Sequence, residues 1–209
     1  MFLRVAQFHR TFNQLVSDTP QFPTSSIRDL RYDLLQEEVN EFCHACKTND
    51  IIEQADALAD MCYIIAGTCV SYGICPEGVY ESPYDNVKRP WAYHQMQIFY
   101  NLKPSRIARE DFDTYHDAEA SNNLNNVRDS LMTMMANIFG LGLHLGIPLN
   151  QVFTEVHRSN MAKALPDGTV RYRPDGKVLK PDGWTPPDIK GVLLSSGWFE
   201  EVSGFLCPK

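Results

Sequence analysis

No stretch of the 209-residue sequence approaches the roughly 20 consecutive apolar residues that a membrane-spanning helix needs, so no membrane association is expected. A surplus of positive charge is also missing: 19 Lys and Arg stand against 26 Asp and Glu, a net charge of −7. Such a chain does not wrap nucleic acid by charge alone, and a phosphate ligand needs metal ions or a local basic patch. Regular cysteine spacing is absent too. Cys43, Cys46, Cys62, Cys69, Cys75 and Cys207 are irregularly placed, four of them in segments that read as helices, so reduced thiols in a cytoplasmic setting are expected rather than a disulfide framework. The first twelve residues lack a continuous apolar run and a small-residue cleavage site, so they do not read as a leader. What is present is 44% hydrophobic residues, enough at this length for one domain spanning 1–209, with an insertion at about 75–140 and a hairpin arm at about 166–190.

Helical periodicity dominates. Phe2, Val5, Phe8, Phe12 and Leu15 predict a first amphipathic helix that stops before Pro20. Ser25 or Ser26 caps a second helix with the apolar stripe Ile27, Leu30, Leu34, Leu35, Val39 and Phe42 and an acidic opposite face. Thr48-Asn49-Asp50 reads as a short turn and cap, followed by a third helix from Ile51 to about Tyr72 with Gly73 as its C-terminal cap. So short a connection makes the two helices antiparallel neighbours. Short helices are expected around 91–100 and 105–119, a methionine-rich one from Val127 to Leu145, and another from Leu149 to Lys163. Near the C-terminus, Thr169–Arg173 and Lys177–Lys180 flank Asp175-Gly176 and read as a small β-hairpin. The fold class is therefore all-α, with a helical insertion and a small C-terminal hairpin.

The segment Asp56–Ile74 aligns with Asp129–Ile147 at an offset of 73, with seven identities including Asp56/Asp129, Gly67/Gly140 and Gly73/Gly146. Either a helix has been copied or two apolar helices coincide. In a copy, Glu53 corresponds to Asn126 and Asp60 to Thr133, so the acids are lost and a structural role is expected.

The acids are the chemically informative residues. Glu38 and Glu41, three apart, project from one face of the second helix, with Glu37 beside them; Glu53, Asp56 and Asp60 follow i, i+3, i+7 on the third. Antiparallel packing brings the two acidic stripes together, where repulsion is costly unless cations intervene. A plain solvated face competes with that reading. Against it, Asp56 and Asp60 sit among Ala55, Ala57, Leu58, Ala59 and Met61, and few lysines are placed at i+4 to pair with them. Oxygen donors of this kind suit Mg²⁺, with Mn²⁺ able to substitute.

The segments Phe8–Phe12 (FHRTF), Leu35–Glu41 (LQEEVNE), Glu53–Asp60 (EQADALAD), Val156–Lys163 (VHRSNMAK) and Gly176–Ile189 (GKVLKPDGWTPPDI) together resemble the all-α nucleoside triphosphate pyrophosphohydrolases, MazG-like proteins related to phosphoribosyl-ATP pyrophosphohydrolase. The resemblance covers roughly 1–74 and 141–190. It implies a four-helix bundle, a homodimer or homotetramer, and water attack on the α-phosphorus of a nucleoside triphosphate, giving monophosphate and pyrophosphate. It implies that Glu38, Glu41, Glu53 and Asp56 hold the metal, with Asp60 an alternative second aspartate. Glu37 is implied as base or as support for the ligands. Asn160 and Lys163 match phosphate-approaching positions, Arg158 and Lys180 could assist them, and His9, Phe12 and Asn13 are candidates for the base. Surface cations at a helix end compete for the former, and core packing competes for Phe12.

Two other classes compete. Glu41-Phe-Cys-His44 and Asp113-Thr-Tyr-His116 have the ExxH spacing of di-iron carboxylate proteins. An inactive interaction module would use Trp91, Tyr93, Phe99 and Tyr100 to hold a partner. A zinc site from Cys43, Cys46, Cys62 and Cys69 is disfavoured, because CxxC within a helix closes a tetrahedral site poorly.

Overall fold

The computed structural model describes residues 1–74, 103–165, 167–174 and 177–198. Seven helices lie in them: α1 (Phe2–Thr11), α2 (Ser25–Thr48), α3 (Ile51–Tyr72), α4 (Pro104–Ala120), α5 (Leu124–Leu145), α6 (Leu149–Met161) and α7 (Ile189–Ser195). No strand occurs among the described residues. The expected hairpin is reduced to one antiparallel bridge, Tyr172–Val178, supported by Arg173 N–H to Lys177 O and Leu179 N–H to Arg171 O, each 2.8 Å. Its turn at Asp175-Gly176, the helix expected at 91–100 and the aromatics Trp91, Tyr93, Phe99 and Tyr100 lie outside the described residues.

The ends of α2 and α3 follow from local chemistry. Asn49 takes a left-handed conformation (φ 55°) that stops α2, and the Asp50 carboxylate accepts the Ile52 and Glu53 N–H groups to start α3. Gly73 ends α3 at φ 65°, with Ile74 N–H bonded to Cys69 O. A Cβ there would meet Thr19 O at 2.2 Å, so glycine is required on both counts.

The second half repeats this plan. α5 starts 73 residues after α3 and ends 73 after it; Asn123 caps it as Asp50 caps α3, Gly146 ends it at φ 67°, and Ile147 N–H returns to Gly142 O. The two helices thus share their length and both caps at one offset. The lost acids are accounted for: Asn126, Asp129 and Thr133 are exposed, and Asp129 pairs with its neighbour Arg128.

α2 packs on α3 and α4, α4 on α5, and α5 back on α3, while α1, α6 and α7 cover the remaining side of α3. α3 is thereby the central helix, buried almost continuously from Gln54 to Tyr72 except at Asp56 and Asp60, which stay partly exposed. Glu119 ties the layers together, accepting from Tyr72 Oη (2.6 Å) and pairing with Arg28 (2.8 Å). Helix α1 is shorter than expected. After Thr11 the chain turns through Asn13 (φ 45°) and runs along α3, with Ser17 N–H to Val70 O and Gln21 N–H to Tyr72 O.

Candidate functional site

A cleft of about 360 Å³ lies where α2, α3 and α6 meet the segment 177–187. Helical spacing decides which side chains reach it. α2 contributes Leu30, Arg31, Leu34, Glu37, Glu38 and Glu41; α3 contributes Asp56, Asp60, Tyr63 and Ile64; α6 and the residues just after it contribute Val156, Ser159, Asn160 and Lys163. Each set is a single stripe of one helix.

The cleft has an acidic side. Burial and the neighbouring Asp60 and Glu41 carboxylates push the Glu38 carboxyl up to about 9. Burial and Asp56 push Asp60 up to about 7, and burial with Glu53 pushes Asp56 up to about 6. Glu41 rises for the same reasons, burial first and Glu37 second. Glu38 Oε2 and Asp56 Oδ1 are buried without a hydrogen-bond partner. Orphaned buried carboxylate oxygens are costly, and a cation is the group that satisfies several at once. Even so, among the described residues no three His, Cys, Asp or Glu side chains are arranged to hold a metal ion. Carboxylates that face one another with no cation between them turn apart, whereas the helix faces that carry them are fixed by packing.

Opposite the acids stand cations from distant sequence. Lys163 donates to Asn160 Oδ1 at 2.6 Å, and burial lowers its pKa while Asp60 opposes the shift. Lys180 lies over the Trp184 ring, 4.3 Å from its centroid. Lys177 pairs with Glu37 at 2.7 Å and holds the 177–187 segment against α2. That segment is anchored at its far end as well, by Trp184 Nε1–H to Ser159 O (2.8 Å) and Ser159 Oγ–H to Thr185 O (3.1 Å).

The structure sorts the expected site residues. Glu37, Glu38, Glu41, Asp56, Asp60, Asn160, Lys163 and Lys180 line the cleft together. Glu53 does not; it is exposed at the rim, near enough for its charge to raise Asp56 and Glu41. Arg158 points outward, paired with Glu155 at 2.7 Å, so it is not a cleft residue. The base-contact expectation is corrected for α1. Phe12 is fully buried and stacked on Phe8 at 4.2 Å, and its burial is the stronger use of its ring. His9 is 1% exposed, donating Nδ1–H to Leu15 O (2.9 Å) and accepting from Arg31 on Nε2 (2.8 Å), so both ring nitrogens are engaged. Asn13 is an exposed turn residue outside the cleft.

Sequence reading missed Arg31, Gln14, Tyr63 and Lys177. A signal existed for Arg31, which lies seven residues before Glu38 on the same face of α2. None existed for Gln14, which reaches the cleft only because the chain turns after α1. The rival pairs fare worse: His44, Asp113 and His116 are exposed, and none of them lines the cleft. Cys43, Cys46 and Cys62 are unbridged thiols.

Residues 5–90 match the model of the phosphoribosyl-ATP pyrophosphohydrolase family. An uncharacterized protein, L479, of Acanthamoeba polyphaga mimivirus is 27% identical over 181 residues, covering 76% of this chain and 69% of that protein. Among the described residues no single helix is long and apolar enough to cross a membrane. The matched segment holds most of α1, all of α2 and α3 and all five acids that line the cleft, and over it the chain resembles the all-α nucleoside triphosphate pyrophosphohydrolases, through the phosphoribosyl-ATP pyrophosphohydrolase family.

Proposed function

We propose that this chain is a metal-dependent nucleoside triphosphate pyrophosphohydrolase, converting a nucleoside or deoxynucleoside triphosphate to its monophosphate and pyrophosphate. The carrying observation is the convergence on one cleft of carboxylates from α2 and α3, two with orphaned buried oxygens, and of Lys163 and Lys180. Acids alone repel a polyphosphate, and cations alone leave the acids uncompensated. The two together suit a divalent ion bridging carboxylate and phosphate.

Glu38, Glu41, Asp56 and Asp60 are the residues proposed to hold Mg²⁺ or Mn²⁺, with Glu53 at the rim. When bound, such an ion neutralises phosphate charge and lowers the pKa of a coordinated water. The side chains do the rest. Lys163, oriented by Asn160, and Lys180, steadied on Trp184, face the anionic ligand and balance charge on the departing pyrophosphate. Burial and the neighbouring carboxylates favour the protonated form of Glu38, and a positive charge beside it opposes that shift. Glu37 is ion-paired with Lys177, which favours anchoring of the 177–187 segment; service as a general base requires that pair to open. Assembly as a homodimer or homotetramer within a MazG-like bundle belongs to the proposal and rests on the resemblance.

A panel of NTPs and dNTPs incubated with Mg²⁺ or Mn²⁺, with products separated chromatographically, tests the reading. Monophosphate and pyrophosphate are expected. Diphosphate and inorganic phosphate would refute attack at the α-phosphorus.

A further inference from the structure

The acids and lysines occupy one part of the cleft. Another part is built differently, from Phe8, Leu30, Leu34 and Ile64 with Arg31 and Gln14 among them. Arg31 is the anomaly. It is 7% exposed, no carboxylate pairs with it among the described residues, and its Nε–H has no partner. Its neighbours are neutral: Nη2 donates to His9 Nε2 at 2.8 Å and to Gln14 Oε1 at 3.1 Å. A buried cation without a counter-charge is expensive, and the fold does more than tolerate it. Gly67 of α3 leaves the room, since a Cβ there would stand 2.7 Å from Arg31 Nη1 and 2.8 Å from His9 Nε2.

His9 is locked as the acceptor. Its Nδ1–H is spent on Leu15 O, so the Nε2 lone pair is the one turned to the guanidinium. Gln14 is locked as well: a guanidinium can only donate, so the amide oxygen faces Arg31 and the NH₂ group is left for another partner. The polar groups left unfilled here are therefore donors, the buried Arg31 Nε–H and the Gln14 amide, framed by apolar walls. Arg31 precedes Glu38 by seven residues on one stripe of α2, about 10 Å along the axis, a separation that suits a base edge at one end and the first phosphate at the other.

We propose that Arg31 and Gln14 select the nucleobase, favouring an edge with two adjacent acceptors and no donor between them, as in guanine N7/O6 or cytosine O2/N3. Adenine places an amino donor beside N7, and uracil or thymine places N3–H between its two carbonyls, so neither satisfies both donors. The inference rests on the nucleotide reading of the cleft, though not on turnover.

The test is calorimetric titration of the full chain with α,β-imido analogues of dGTP, dCTP, dATP and dTTP in Mg²⁺, with Gln14→Leu and Arg31→Lys in parallel and circular dichroism as a check on folding. The guanine or cytosine analogue, or both, is expected to bind about tenfold or more tighter than the other two. Gln14→Leu, at a partly exposed loop position, is expected to narrow that margin, and Arg31→Lys, which keeps the charge but loses the planar fork, to narrow it further. Equal affinity for all four bases, preference for adenine or thymine, or an unchanged margin in folded Gln14→Leu overturns the proposal. Pyrophosphate release is scored separately: no release with the base preference intact overturns the catalytic reading and leaves this one standing.

Discussion

α3 and α5 have the same length, equivalent caps and equivalent glycine stops at an offset of 73, yet only α3 brings acids to a cleft. Their common features are those a helix needs to begin, end and pack. Five of their 22 aligned positions are identical, Asp56/Asp129 among them, and the other two acids of α3 are replaced, Glu53 by Asn126 and Asp60 by Thr133. Asp129 shows that retaining the residue is insufficient. It is exposed and paired with Arg128, while Asp56 is raised by burial and by Glu53 and Glu41. Chemistry on such a scaffold depends on which face meets a second acidic stripe, and α2 supplies one only to α3.

The largest expected effect separates the two helices directly. Asp56→Ala and Glu38→Ala are expected to lower pyrophosphate release about 100-fold or more, while Asp129→Ala stays within about twofold. Comparable losses at Asp56 and Asp129 would break the comparison.

Next is the pH response of the metal-free protein. Glu38, Asp56 and Asp60 bind protons more tightly folded than unfolded, so the native state holds protons that the unfolded chain releases. Stability therefore falls as pH rises from the ordinary carboxylate range toward about 9, the upper limit set by Glu38. Thermal melts in EDTA at pH 5, 7 and 9 should show a falling Tm. Added Mg²⁺ should restore most at pH 9, and a Tm independent of pH would show that these acids are solvated.

The caps sharpen the likeness of the two helices. Asp50→Ala and Asn123→Ala should each cost about 1 kcal/mol in urea unfolding, because each removes an acceptor from two N–H groups. The smallest change is expected from Lys177→Ala. Its pair with Glu37 is partly exposed and contributes under about 1 kcal/mol to stability, so the variant should alter the KM for triphosphate more than the melting curve.

Much of the fold was legible because its signals are local. The limits of α2 and α3 followed from Asn49, Asp50 and Gly73, and the helix expected at 105–119 was found at Pro104–Ala120. Of the hairpin expected at 169–180, the described residues hold one antiparallel bridge, and its turn lies outside them. At the site, Glu37, Glu38, Glu41, Asp56 and Asp60 reach the cleft as spacing on two antiparallel helices implies, whereas His9 and Phe12 carried the right residue types for base contact and were claimed by the core.

The sequence by itself determined that acids share faces on α2 and α3, because a period of 3.6 residues sets angular position regardless of surroundings. It also determined where those helices end, through caps acting over two to four residues. Only the tertiary structure decided what each face meets. It placed Asp60 in the cleft wall and Glu53 at the rim, turned Arg158 outward, buried Arg31 beside His9, and brought Lys177 to Glu37 across 140 residues. Spacing carries no information about such contacts, since they depend on how the apolar faces of α1, α2, α3 and α6 exclude water together.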